Sequence, residues 1–220
     1  MKRIISLILC LVLGSLVLAG CSDNSQTFTQ HEYAADIAEI KDLSIDVRDR
    51  EIEVSLSEDN KIHITYFESD KESYSIGVSD GNALTMTSAS NKEWTDYVGG
   101  KTSAENRKIT VQIPNALLCN LTLSTTNEDI NLAALTVTGG VNITSNGGDI
   151  SFENLDVGKA LHLNGKNGDI FGTVIGGYDD FSITSEIKKG ESNLPARKDS
   201  GEKTLNVSNN NGDINIEFIK

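Results

Sequence analysis

Four aspartates occupy equivalent surroundings in this chain: Asp129, Asp149, Asp169 and Asp213, each followed by an isoleucine, the first three spaced by twenty residues. Carboxylates recurring along one edge, with asparagines beside them, offer the hard oxygen ligands that calcium prefers. The calcium-binding nonapeptide Gly-Gly-x-Gly-x-Asp is absent, however, and one turn per repeat leaves few ligands converging between neighbours. Turn chemistry is the better reading, because Asx side chains bond nearby backbone, and no metal site is assigned.

The three histidines do not suggest catalysis. His31 lies in a polar, pattern-free stretch, while His63 between Ile62 and Ile64 and His162 between Leu161 and Leu163 alternate outward. Each reads as a solvated residue. Sugar cleavage, the enzymatic alternative, needs a placed pair of carboxylates, and no pair is singled out. The glycines follow the repeat and form no phosphate-binding loop, so no catalytic residue and no cofactor are assigned. The only tryptophan, Trp94, lies with Tyr97 in Asn91-Lys92-Glu93-Trp94-Thr95-Asp96-Tyr97-Val98-Gly99-Gly100-Lys101, which interrupts the alternating pattern. Both are candidate ligand-binding residues, able to stack on a sugar ring or anchor a protein partner; the competing role is to cover an exposed patch.

Cysteine chemistry is more specific. Lys2 and Arg3 precede an apolar run from Ile4 to Leu18, and Leu18-Ala19-Gly20-Cys21 follows. Charge, a short apolar segment and small residues before a cysteine make a lipoprotein signal peptide over residues 1–20. Cys21 is then the lipidation site, carrying diacylglyceryl and N-acyl (palmitate-type) chains as a membrane anchor. Each buried CH₂ contributes about 0.8 kcal/mol, so two or three chains hold a protein without a spanning segment. The expected location is the cell envelope, lipid-anchored at the membrane and facing the extracellular or periplasmic side. Cys10 leaves with the signal, so Cys119 alone remains and no intramolecular disulfide forms. A formal charge of −13 argues against nucleic acid as a partner.

The elements that position these residues come from the repeat. Leu121/Leu123, Val141/Ile143, Leu161/Leu163 and Leu205/Val207 each precede a polar turn and an Asp-Ile pair, and Phe181/Ile183 with Gly190 form a degenerate fifth copy between the third and the last. Period-two alternation on both sides of a turn means strand, turn, strand, each with one buried face. Aliphatic columns recurring every twenty residues are expected when identical coils stack on a common core. The predicted fold class is therefore all-β, a parallel β-solenoid of coils of about twenty residues, right-handed by the crossover preference; the competitor is an antiparallel sandwich or barrel. The N-terminal half shows weaker copies at Ile45/Val47, Ile52/Val54, Ile62/Ile64, Tyr74/Ile76 and Leu84/Met86. The expected organisation is a signal peptide over 1–20, a flexible tether over 21–36 and one β-solenoid domain over 37–220.

Ile109-Thr110-Val111-Gln112-Ile113-Pro114, then Leu121-Thr122-Leu123-Ser124-Thr125-Thr126, with Asp-Ile turns at Gly147 to Ile150, Asn167 to Ile170 and Asn211 to Ile214, resemble the bacterial adhesin-like DUF4097 domain from Leu43 to Lys220. The resemblance implies a β-solenoid-like fold and an adhesion or surface role. The first coil, Asn127-Glu128-Asp129, lacks the glycine of that pattern, and the Lys188 to Leu194 copy lacks the aspartate. The expected function is a non-enzymatic, lipid-anchored adhesin or surface scaffold presenting a long, flat, acidic β face, with a surface glycan or an envelope protein as partner. A carbohydrate-active β-helix enzyme and a subunit of an envelope sensing complex are the alternatives.

Overall fold

A computed structural model describes residues 27–90, 102–115 and 118–220. Among them regular structure is strand, broken only by short 3₁₀ turns. The N-terminal strands are β1 (Thr29–Asp36), β2 (Asp42–Asp46), β3 (Glu51–Leu56), β4 (Lys61–Glu68), β5 (Glu72–Val78), β6 (Ala83–Ser90) and β7 (Lys108–Ile113). The repeats supply β8 (Asn120–Thr125), β9 (Ile130–Leu132), β10 (Leu135–Val137), β11 (Gly140–Ser145), β12 (Ile150–Val157), β13 (Ala160–Asn167) and β14 (Ile170–Ile175). The chain continues through β15 (Phe181–Lys189), β16 (Arg197–Lys198), β17 (Lys203–Asn211) and β18 (Ile214–Ile219). No helix of the described residues is long and apolar enough to cross a membrane.

Two nine-stranded sheets face each other. The first runs β1-β4-β7-β3-β9-β12-β14-β18, with β10 paired to β12; the second runs β16-β15-β17-β13-β11-β8-β2-β6-β5. The four repeats with an aspartate give strands to both sheets, and the first three pair in parallel with a twenty-residue offset, as in Val141 with Leu121 and Leu161. The twenty-residue period therefore becomes a stack of coils. Aliphatic side chains stack with it: Ile109, Ile52, Ile130, Ile150, Ile170 and Ile214 form one column by register in the first sheet. Leu84, Leu43, Leu121, Val141, Leu161, Leu205 and Ile183 form its counterpart in the second. All thirteen are at most 2% exposed, so the two columns lie at the centre of the core. Branched aliphatics suit this position because their stiff side chains pack on a pleated surface.

The structure departs from the sequence reading in three places. Residues Thr29–Asp36, expected within the tether, form β1 and pair antiparallel with β4 along their whole length. Tyr33 and Ala35 pack against the core, but Ala34 between them and the polar run Thr29 to Glu32 before them leave no apolar alternation to read. Secondly, the N-terminal half does not continue the coils in chain order. The β2-β3 coil stacks directly on β8-β9, about eighty residues later, while β4 and β5 join antiparallel to β7 and β6. Alternating hydrophobicity fixes which face is buried and leaves strand direction and neighbour open.

Thirdly, the degenerate copy is not between the third and last repeats. β17 pairs with β13, and β15 lies outside β17, with β16 antiparallel on its far side. The turns account for this order. Gly212 packs on Gly168 and Gly190 on Gly212, each so closely that an added Cβ would lie 2.1 to 2.3 Å from the neighbour's carbonyl oxygen. Positive φ angles of 118°, 122° and 129° at Gly168, Gly212 and Gly190 make glycine the natural residue there. The copy with Gly190 has no aspartate to offer a further layer, so it serves as the last one.

Candidate functional site

The aspartate column is part of the framework. Asp129 Oδ1 accepts the N–H of Asp149 at 2.8 Å, Asp149 that of Asp169 at 2.7 Å, and Asp169 that of Asp213 at 2.8 Å. Asp213 closes the series by accepting the N–H of Glu191 at 2.8 Å. Each carboxylate thus satisfies a backbone donor of the next turn, a charge-assisted bond that ties neighbouring coils. Among the described residues no group of three or more His, Cys, Asp or Glu side chains is arranged to hold a metal ion.

A second ladder lies inside. Thr125, Ser145 and Asn209 are buried at the inner ends of second-sheet strands. Thr125 Oγ1 donates to the carbonyl of Arg50 (2.7 Å), Ser145 Oγ to that of Glu128 (3.2 Å) and Asn209 Nδ2 to that of Gly168 (2.9 Å). Asn209 has room because the facing residue is Gly165, where a Cβ would stand 2.7 Å from Asn209 Oδ1. These bonds satisfy turn carbonyls that stacking would otherwise bury unpaired.

Titratable clusters occur at the N-terminal end. Arg50, only 3% exposed, donates to Glu72, to the Tyr74 hydroxyl (2.5 Å) and to the Asp49 carbonyl (2.9 Å). Burial pushes the Tyr74 hydroxyl above its ordinary pKa, against the pull of Arg50. This group fastens β5 to the turn between β2 and β3. His31, now on β1, stacks on Tyr66 at 5.6 Å and lies 3.7 Å from Glu68. His63 does face outward, between Glu32 at 3.2 Å and Asp59 at 3.0 Å. Its hydrogen bond, with one from the Lys61 N–H, holds Asp59 down to about 2. No nucleophile adjoins either histidine in these contacts, and both act as ties between strands.

The outer faces differ in chemistry. The first sheet carries ion pairs, including Lys108 with Glu53, and three exposed apolar side chains, Leu56, Phe171 and Ile175. On the second, register lines up Thr85, Ser44, Thr122, Asn142, His162, Asn206 and Thr184 in one row. The adjacent row is Thr87, Asp46, Ser124, Thr144, Asn164, Ser208 and Glu186. Hydroxyls and amides dominate, so the expected acidic face is on this side nearly neutral. Asparagine, serine and threonine replace the carboxylates there, and the aspartates of the repeat sit instead in the turns.

Where β11, β13, β17 and β15 meet, this face forms an open cleft of about 420 Å³. Asn142, His162, Asn206 and Thr184 line one side; Thr144, Asn164, Ser208 and Glu186 line the other, over Leu163 and Val207. His162 Nδ1 lies 3.2 Å from Asn206 Nδ2, so β13 and β17 share a hydrogen bond along one wall of the cleft. Of the residues singled out from sequence, His162 alone falls here. Cys119 is an exposed free thiol elsewhere. Cys21, Trp94 and Tyr97 lie outside the described residues. The polar lining was missed because the repeat was read for its apolar positions; the residues between them, aligned on the same aspartate, are the signal that finds it.

Comparison with known proteins agrees with this architecture. The family model Toastrack DUF4097 matches residues 40–176. A protein from Clostridium sporogenes ATCC 15579, provisionally named for cell adhesion, is 11% identical, and the alignment covers 88% of this chain and 100% of that one with a TM-score of 0.58. One from Bacteroides fragilis NCTC 9343, provisionally named an adhesin, is 14% identical over 89% of this chain and 98% of that one, with a TM-score of 0.31. No curated protein matches the sequence. The first of these structures shares the all-β fold, and by its match to the family model the chain belongs to the Toastrack DUF4097 family.

Proposed function

We propose that this chain is a non-enzymatic cell-envelope protein, held at the membrane by acylated Cys21, that works as an adhesin or surface scaffold through the outer face of its second sheet. The observation that carries the reading is the double row of hydrogen-bonding side chains, uncharged but for Asp46, Glu186 and the ring of His162, continuous over seven strands and opening into the cleft. Such a face offers many weak contacts of one kind, which suits attachment by repetition. The signal-like N-terminus supports anchoring, and the adhesion name of the similarly folded clostridial protein is consistent with a surface role. Because β1 lies at one end of the stack, an anchor at Cys21 would leave the β13-β17-β15 end, with its cleft, farthest along the stack from the attachment.

Two measurements test this. Cys21→Ser protein should leave the membrane fraction and appear in the soluble one; retention in the membrane would refute the anchor. A photo-crosslinking side chain at Asn164, in intact envelopes, should capture envelope material that the same group at Asn131, on the opposite sheet, does not. Equal capture from both sheets, or none from Asn164, would refute the face.

A further inference from the structure

We infer that the cleft over β11, β13, β17 and β15 takes an uncharged, hydroxyl-rich glycan chain lying across the strands; the inference rests on the surface-binding reading above and narrows its ligand. Three properties of the cleft select this class. Its lining contains one carboxylate, Glu186, and no lysine or arginine, so it offers no cationic partner for an acidic ligand, and the chain's charge of −13 opposes a polyanion. It has no Trp, Tyr, Phe, Met or Arg, the residues that dominate protein interfaces, so a protein hot spot has nothing to anchor it. Leu163 and Val207 turn their side chains into the core and give the floor only backbone, so an apolar small molecule meets amides and hydroxyls.

What remains is a dense set of paired donors and acceptors. Asn142, Asn164 and Asn206 supply amides, Thr144 and Ser208 hydroxyls, and His162 a ring nitrogen. Sugar hydroxyls both donate and accept, and an amide or hydroxyl can meet either role by rotation. Strands about 4.8 Å apart repeat these groups in the stacking direction, so a chain crossing the strands meets the same chemistry at each step. With no aromatic platform, the affinity of one cleft is low, and many anchored copies act together.

The test uses the full mature lipoprotein reconstituted at high density in phosphatidylcholine vesicles and applied to an array of neutral and acidic glycans. Retention on neutral glycans without turnover is expected, falling at least tenfold in Asn164→Lys and unchanged in Asn131→Lys, on the opposite sheet. No retention on neutral glycans, preference for acidic ones, release of cleaved sugar, or equal retention by Asn164→Lys would overturn the inference. Isolated envelopes separate it from the reading beneath it. If vesicles bind envelopes and periodate oxidation of glycans abolishes binding while protease does not, both stand. If protease alone abolishes it, the surface-binding reading stands and the glycan falls. Absence of envelope binding refutes both.

Discussion

Asp169 shows how one side chain serves the stack: its Oδ1 accepts from Asp213 while its own N–H is held by Asp149. Asp169→Ala takes the acceptor from the exposed Asp213 donor and should cost about 0.5–1.5 kcal/mol in urea unfolding. Asp169→Asn keeps an acceptor oxygen and should cost less. Equal losses would mean that the carboxylate acts by charge alone. Asp59 provides a pH signature. Its folded pKa of about 2 lies below the ordinary 3.8, so its contribution is complete above about pH 4 and is lost as pH falls toward 2. Asp59→Asn should flatten the stability curve in that window and leave it unchanged near neutrality; an unchanged acid limb would contradict the His63 hydrogen bond as its source.

At the scale of the element, the turns set the order of the layers and the strands set their content. Gly212, with its φ of 122° and a neighbouring carbonyl 2.1 Å from any Cβ, should lose at least about 1–3 kcal/mol on substitution by alanine. Gly77→Ala, where nothing lies within 4 Å, should stay within about 0.5 kcal/mol of the parent. Thermal melts of the two variants check the contrast, and similar losses would argue against close stacking at Gly212. The twenty-residue coils were legible in the sequence because Ile130, Ile150 and Ile170 recur beside identical turns. The pairing of β2 and β3 with strands about eighty residues away was not, since no local pattern records which coil a given coil meets. For the same reason the cleft was half legible: His162 was placed outward correctly, but its neighbour Asn206 belongs to a coil that displaces the expected one.

Over the whole molecule, the two sheets share one continuous core from Ile37 to Ile216, and the outer rows exist only because every coil is in register. The binding face is therefore a property of the stacking order, and no single repeat carries it. Spin labels measure that order directly. In protein with Cys10, Cys21 and Cys119 replaced by serine, one label at Thr85 is paired with a second at either Asn206 or Thr184. The order β6-β2-β8-β11-β13-β17-β15 places Asn206 five strand steps away and Thr184 six, or roughly 24 and 29 Å at about 4.8 Å per step. Electron–electron distance measurements should give the shorter separation to Asn206; a shorter separation to Thr184, as coils stacked in chain order require, would contradict the arrangement on which the proposed surface depends.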